Sequence, residues 1–319
     1  MGFTKRQMIV TLICFAAAVV LPIFFRGSRY YMNLFNLAGI FIILTFSLNY
    51  IHGYLGLISI GQAGFFAIGA YITAGLTMGL GINYFPALLL ASIAAALAGV
   101  LLGLPASRIG GHYFVLITLA FGEIVRLIIL NWKEVTHGTN GVNNIPPPSL
   151  GPLLIESRFA YYYLVLFFII VTMVVAASVR RSKYGRSMLA TKVGELAANV
   201  MGINPLSTKL INFGISSFFA GLAGGLYASY IGSISPEAFD VDLSVDILTM
   251  TLVGGSGTIP GPVIGATALV FLKEWLRAVK EYYMIIYGAG IVLIMIFMPY
   301  GIMGLLRRVR NAISSREVR

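Results

Sequence analysis

Ten apolar runs punctuate the chain, near 8–25, 33–51, 62–80, 84–104, 112–131, 159–179, 209–232, 244–259, 260–276 and 284–304. Most approach the roughly 20 apolar residues with which a helix crosses a bilayer. No sustained alternation of apolar and polar residues marks barrel strands, so the backbone must satisfy itself within helices. The pattern predicts an all-α polytopic membrane protein with about 10 transmembrane helices. If 244–276 forms a re-entrant hairpin, the prediction becomes about 8 crossings plus that hairpin. Met1 to Phe25 has Lys5 and Arg6 ahead of a long apolar stretch and no clear small-x-small cleavage site. It therefore reads as a retained first span rather than a signal peptide.

Two stretches break the apolar pattern, Gly53 to Gly69 (GYLGLISIGQAGFFAIG) and Gly254 to Gly265 (GGSGTIPGPVIG). One lies in each half and both end in Gly-Ala, which gives the chain two weakly similar halves. Unwound backbone in a membrane persists only where it is buried in protein or lines a wet cavity. Two readings stay open: close helix packing through small residues, and a solute path between two repeats. On the second reading the candidate pathway residues are Asn49, Ser59, Gln62, Gly254, Gly255 and Gly257. Thr45, Asn49 and His52 share one face of a helix by their spacing.

Composition narrows the class. Of 319 residues, 58% are hydrophobic and only 10% charged, far from the roughly 25% charged of a soluble domain. The formal charge of +11 is unevenly placed. With ten crossings, the segments on one side hold 14 basic residues against Glu195 and Glu317, while the other side holds seven basic and eight acidic. That is the positive-inside pattern: it predicts cytoplasmic termini and contact with anionic lipid, with no nucleic-acid partner. The whole chain, 1–319, reads as a single transmembrane domain. Within it lie a cytoplasmic loop at 180–209, a periplasmic loop at 132–158 and a basic cytoplasmic tail at 305–319. The 180–209 loop carries Arg180, Arg181, Lys183, Arg186, Lys192 and Lys209, and its interior predicts a short helix over 187–201, stopped by Gly202.

Candidate chemistry is sparse. No Gly-Lys pair exists, so the chain has no phosphate loop and any ATP is bound by another polypeptide. Three histidines stand apart (His52, His112, His137) and no catalytic motif accompanies them, so neither a catalytic nor a metal site is expected. Cys14 alone excludes an internal disulfide. Glu123 lies deep in an apolar run, with Arg126 one turn on. A lone charge there would cost about 2.5–3.5 kcal/mol on insertion scales, so the two are expected to form an intramembrane ion pair facing the protein interior. Its alternative role is proton transfer or solute contact. Ser244 is expected to cap the helix that follows it, with Asp246 complementing that helix's N-terminal dipole.

Four blocks resemble the M-type (LivM-like) permease subunit of bacterial branched-chain amino-acid ABC importers. They are LNYIHGYLGLISIGQAGFFAIGAY (48–71), GGHYFVLITLAFGEIVR (110–126), THGTNGV (136–142), and YGRSMLATKVGELAANVMGIN (184–204) continuing into ISSFFAGLAGGLYA (215–228). GGSGTIPGPVIGA fits the same pattern, and the likeness runs from about 34 to 304. It implies a type II-like ABC importer permease in the bacterial inner membrane, working by ATP-driven alternating access. The implied partners are a second homologous permease as heterodimer, two cytoplasmic ATPases that hold ATP and Mg, and a periplasmic substrate-binding protein. Gly185, Arg186, Glu195, Ala198 and Gly202 then become the candidate coupling residues. Urea, short amides and other amino acids are alternative solutes of the family. An ion-coupled secondary transporter is the alternative outside it.

Overall fold

The computed structural model describes residues 18–276 except 108, 110, 151 and 152, and beyond them 288–289, 292, 296 and 301–305. Cys14, most of the first and last expected spans, and the basic tail lie outside these residues. The segment 18–24 is helical, and Tyr162 and Tyr163 donate hydrogen bonds to the carbonyls of Ala18 (2.9 Å) and Val19 (3.2 Å).

Ten helices carry the described fold: α1 Arg29–Asn49, α2 Gln62–Gly79, α3 Tyr84–Ala106, α4 His112–Asn131, α5 Arg158–Arg181, α6 Lys183–Val193, α7 Glu195–Val200, α8 Pro205–Ile231, α9 Val241–Gly254 and α10 Pro260–Leu276. Five are long and apolar enough to cross a bilayer: α1 with the π-helical turn Tyr50–Leu55 that extends it, α3, α4, α5 and α8. Their starts are set by local chemistry. Ser157 accepts from the Ala160 amide at α5, and Asn204 accepts from Ser207 at α8, where Pro205 fills the first helical position.

The helix α8 is the centre of the bundle. It packs against α1, α2 and α3. The α1 helix runs antiparallel to it, with Ser216 donating to the Ser47 carbonyl (2.6 Å) and Asn212 to that of Tyr50 (2.7 Å). The α2 helix runs parallel to it, from Gln62 beside Ser216 (2.9 Å) to Gly69 against Gly221. A Cβ on Gly69 would overlap the Gly221 backbone, so glycine is what lets these axes approach. The end of the bundle holding α6 and α7 is hereafter the basic end.

Residues 241–276 make a helical hairpin. The 14 residues of α9 rise about 21 Å, short of the ~30 Å hydrocarbon core. Lys273 near the end of α10 pairs with Asp246 near the start of α9, and Glu274 accepts from Tyr30 (2.9 Å) at the start of α1. Both arms therefore meet at the end remote from α6 and α7, as two short crossings and a re-entrant hairpin alike would place them.

The α9 cap is also displaced from expectation. Asp240, not Ser244, accepts from the Leu243 amide (3.0 Å). Ser244 instead accepts from the Ala63 amide (3.0 Å), so it caps α2 from another helix. The 132–158 connection has more order than its glycine and proline suggest. Val142–Asn143 pairs antiparallel with Ser233–Ile234, and Ser149–Leu150 pairs with Leu153–Leu154. The first ladder stitches the loop to the α8–α9 connection, and the second lies within the loop itself.

Candidate functional site

The two glycine-rich breaks, far apart in the chain, meet in space. Asn49, at the end of α1, accepts from the Gly257 amide (2.7 Å) and donates to the Thr258 carbonyl (3.0 Å). It thereby holds the tip of the hairpin. Gly53 lies directly against that tip: a Cβ there would sit 2.5 Å from the Gly257 nitrogen, closer than side chains tolerate. Thr45, one turn earlier, also faces the hairpin, with its hydroxyl 3.7 Å from Met250 Sδ.

Asn49, Ser59 and Gln62 are buried, as are Gly254 and Gly255, while Gly257 is half-buried. Between the π-helical turn and α2 the segment 56–61 is unwound. Ile60 donates to Thr118 of α4 (3.1 Å), and Gln62 donates to Ser216 of α8. Gln62 Oε1, Asn212 Oδ1, Ser217 Oγ and the Tyr50 hydroxyl are buried without a hydrogen-bond partner among the described residues.

At the basic end, α6 and α7 form a bent bracket. The single helix expected over 187–201 is broken at Gly194, which is extended. The break lets Glu195 turn back to the bundle, where it pairs with Lys209 of α8 (2.6 Å). Lys209 is almost fully buried, 5% exposed against 54% for Glu195, and also donates to the Ser107 carbonyl beyond α3 (3.0 Å). A second lysine, Lys192, donates to the Gly53 carbonyl (2.9 Å) and lays its stem over Gly56. The bracket is thus pinned both to the central helix and to the glycine junction.

Of the sequence-derived coupling residues, Gly185 and Ala198 are buried, whereas Arg186, Glu195 and Gly202 are exposed. Gly185 is buried against the carbonyls of Val179 and Arg180, and its amide donates to Ser182 (3.3 Å). Arg186 donates to the Arg181 carbonyl (3.2 Å), Ala198 is buried, and Gly202 follows α7 at a φ of +77°. The outward face belongs to residues the sequence reading did not single out: Val193, Leu196, Val200 and Met201, each at least 80% exposed. Their signal was present, as apolar residues three and four apart inside a basic segment.

Glu123 and Arg126 do pair on α4. Arg126 Nε donates to both carboxylate oxygens (3.1 and 3.0 Å). The pair is not enclosed by this bundle, however, since 34% and 25% of the two side chains remain exposed. Among the described residues no group of three metal-ligating side chains occurs.

Comparison with known proteins agrees with this architecture. The family model described as "Branched-chain amino acid transport system / permease component" matches residues 30–295. The chain belongs to this permease family. It is 35% identical to the high-affinity branched-chain amino acid transport system permease protein LivM of Escherichia coli strain K12, over 99% of this chain and 80% of that one. Against LivM of Salmonella typhimurium the identity is also 35%, over 96% and 77%. The permease protein LivH of E. coli strain K12 is 30% identical over a shorter region, 40% of this chain and 41% of LivH. No solved structure matches the permease. Its membership, with five apolar spans among the described residues, makes it a multi-pass, all-α membrane protein and a transport component.

Proposed function

We propose that the chain is the permease subunit of an ATP-driven importer for branched-chain amino acids, seated in a bacterial inner membrane with both termini cytoplasmic. Its partners are a second, related permease, two cytoplasmic ATPases that bind ATP and Mg, and a periplasmic binding protein that meets the 132–158 loop. Similarity to both LivM and LivH supports a pair of related permeases.

The apolar stripe on the bracket carries the coupling role. Four large apolar side chains on a charged, water-facing loop form a surface suited to a protein groove. Glu195, Ala198 and Lys209 fasten the inner side of α7 to the bundle, leaving Leu196 and Val200 outward for the ATPase. Closure of the ATPases then moves the bracket as one piece. Lys192 passes that movement to Gly53, and Asn49 passes it to the hairpin tip. The seam of Asn49, Ser59, Gln62, Gly254, Gly255 and Gly257 is where the helices slide between two access states, whose populations shift with differential binding of partner and nucleotide.

The test is replacement of 190–202 by a Gly/Ser linker in the co-expressed importer. The permease should still insert, but the ATPases should no longer co-purify and ATP-driven leucine uptake should vanish. Retention of both would refute the docking role. Leu196→Ser with Val200→Ser should give the same loss with the bracket left in place.

A further inference from the structure

One flank of the bundle gathers three features that lipid does not tolerate. The first is the Glu123–Arg126 pair, part-exposed on the helix that is least enclosed: of the 20 residues of α4 only Phe114, Thr118, Val125 and Ile129 are buried. Glu123 lies about 16 Å along α4 from its start and Arg126 about 21 Å, so the pair is rooted between the middle of the helix and its Asn131 end. The second is the unwound segment 56–61, which rests on α4 through Thr118 and Gly122 and leaves Ile58 exposed. The third is the pair of acids Glu237 and Asp240, on and just after the Pro236–Phe239 turn that packs against α4. Charges and irregular backbone at membrane depth occur where protein or water covers them.

We propose that this flank is a wall of the solute path and that the pair receives a zwitterionic amino acid. The solute carboxylate forks onto the Arg126 guanidinium while its ammonium takes the Glu123 carboxylate. One ion pair is exchanged for two, so no unpaired charge is created within the membrane, and the planar guanidinium suits bidentate carboxylate binding. A neutral urea or amide offers neither charge, and a simple acid or amine leaves one member of the pair unmatched. The site therefore selects amino acids, a role that presupposes the importer reading above.

The importer is reconstituted with its partners in vesicles; ATP-driven leucine uptake by the unaltered protein tests the importer reading separately. Glu123→Gln and Arg126→Gln should each lower uptake about tenfold or more, as loss of a charged hydrogen bond implies. The double variant should be no better than either. Recovery in the double variant would overturn the proposal, since a purely structural pair is relieved when both charges go.

A second measurement leaves the pair intact. Leu119→Cys, one turn before Glu123, is made in a Cys14→Ser background and exposed to a charged, membrane-impermeant thiosulfonate. Labelling is expected, with protection by millimolar leucine but not by isopentylamine or 4-methylpentanoate, each of which carries one of leucine's two charges. Absence of labelling, or equal protection by all three solutes, would overturn the proposal.

Discussion

Removing Glu195 should destabilise the permease through the lysine it leaves behind. In the structure the Lys209 ammonium has two protein acceptors, Glu195 Oε1 at 2.6 Å and the Ser107 carbonyl at 3.0 Å. The lysine side chain is 5% exposed and the carboxylate 54%. Glu195→Ala therefore takes the counter-ion from a buried cation, while the acid itself loses little by its removal. Breaking a fully buried pair costs roughly 3–5 kcal/mol, but water can reach the vacated side here, as at exposed pairs. The expected loss is about 1.5 kcal/mol, which corresponds to about 3–6 °C in a thermal melt. Lys209→Met keeps most of the volume, removes the charge and deprives the Ser107 carbonyl of its donor, for about 1 kcal/mol. In that background Glu195→Ala should cost almost nothing further. The assay is a double-mutant cycle on the purified permease, with melting followed by fluorescence-detected size exclusion. An equal cost of Glu195→Ala in both backgrounds would refute the reasoning, because it would mean that the lysine and the acid act independently.

Two further outcomes probe the junction. Lys192→Met removes the bond to the Gly53 carbonyl but keeps the stem over Gly56; stability should change by about 1 kcal/mol or less. ATP hydrolysis in the assembled importer should continue while uptake per ATP falls, and unchanged uptake per ATP would remove Lys192 from the coupling route. Gly53→Ala places a methyl group 2.5 Å from the Gly257 nitrogen, against backbone that cannot rotate away. It should destabilise by about 1–3 kcal/mol, read as a lower melting temperature, whereas Gly75→Ala, with open space around it, should be neutral or slightly stabilising.

Much of the architecture was legible in the sequence because it depends on local properties. Apolar length marks a span wherever the helix ends up, and α3, α4, α5 and α8 fall close to the runs that predicted them. The resemblance and the family match point the same way. An i, i+3 spacing is enough to bring Glu123 and Arg126 together, since one helix holds both. The bend at Gly194 was less legible: the apolar residues of 187–201 fit one helix, and only the bond partner of Glu195, on α8, shows why the chain turns there.

What tertiary structure alone decided is which apolar and polar positions face each other. Lipid-facing and core-facing positions are equally apolar in a membrane, so periodicity does not mark the buried side of α4. Two runs of about 16 residues are separate in the sequence, and only the tertiary structure shows their tip against Gly53 and their outer ends joined by Lys273 and Asp246. Asn49 and Gly257 are 208 positions apart, and no local rule pairs them. Their meeting follows from the glycine backbones that let α1 and the hairpin tip come close enough to exchange hydrogen bonds.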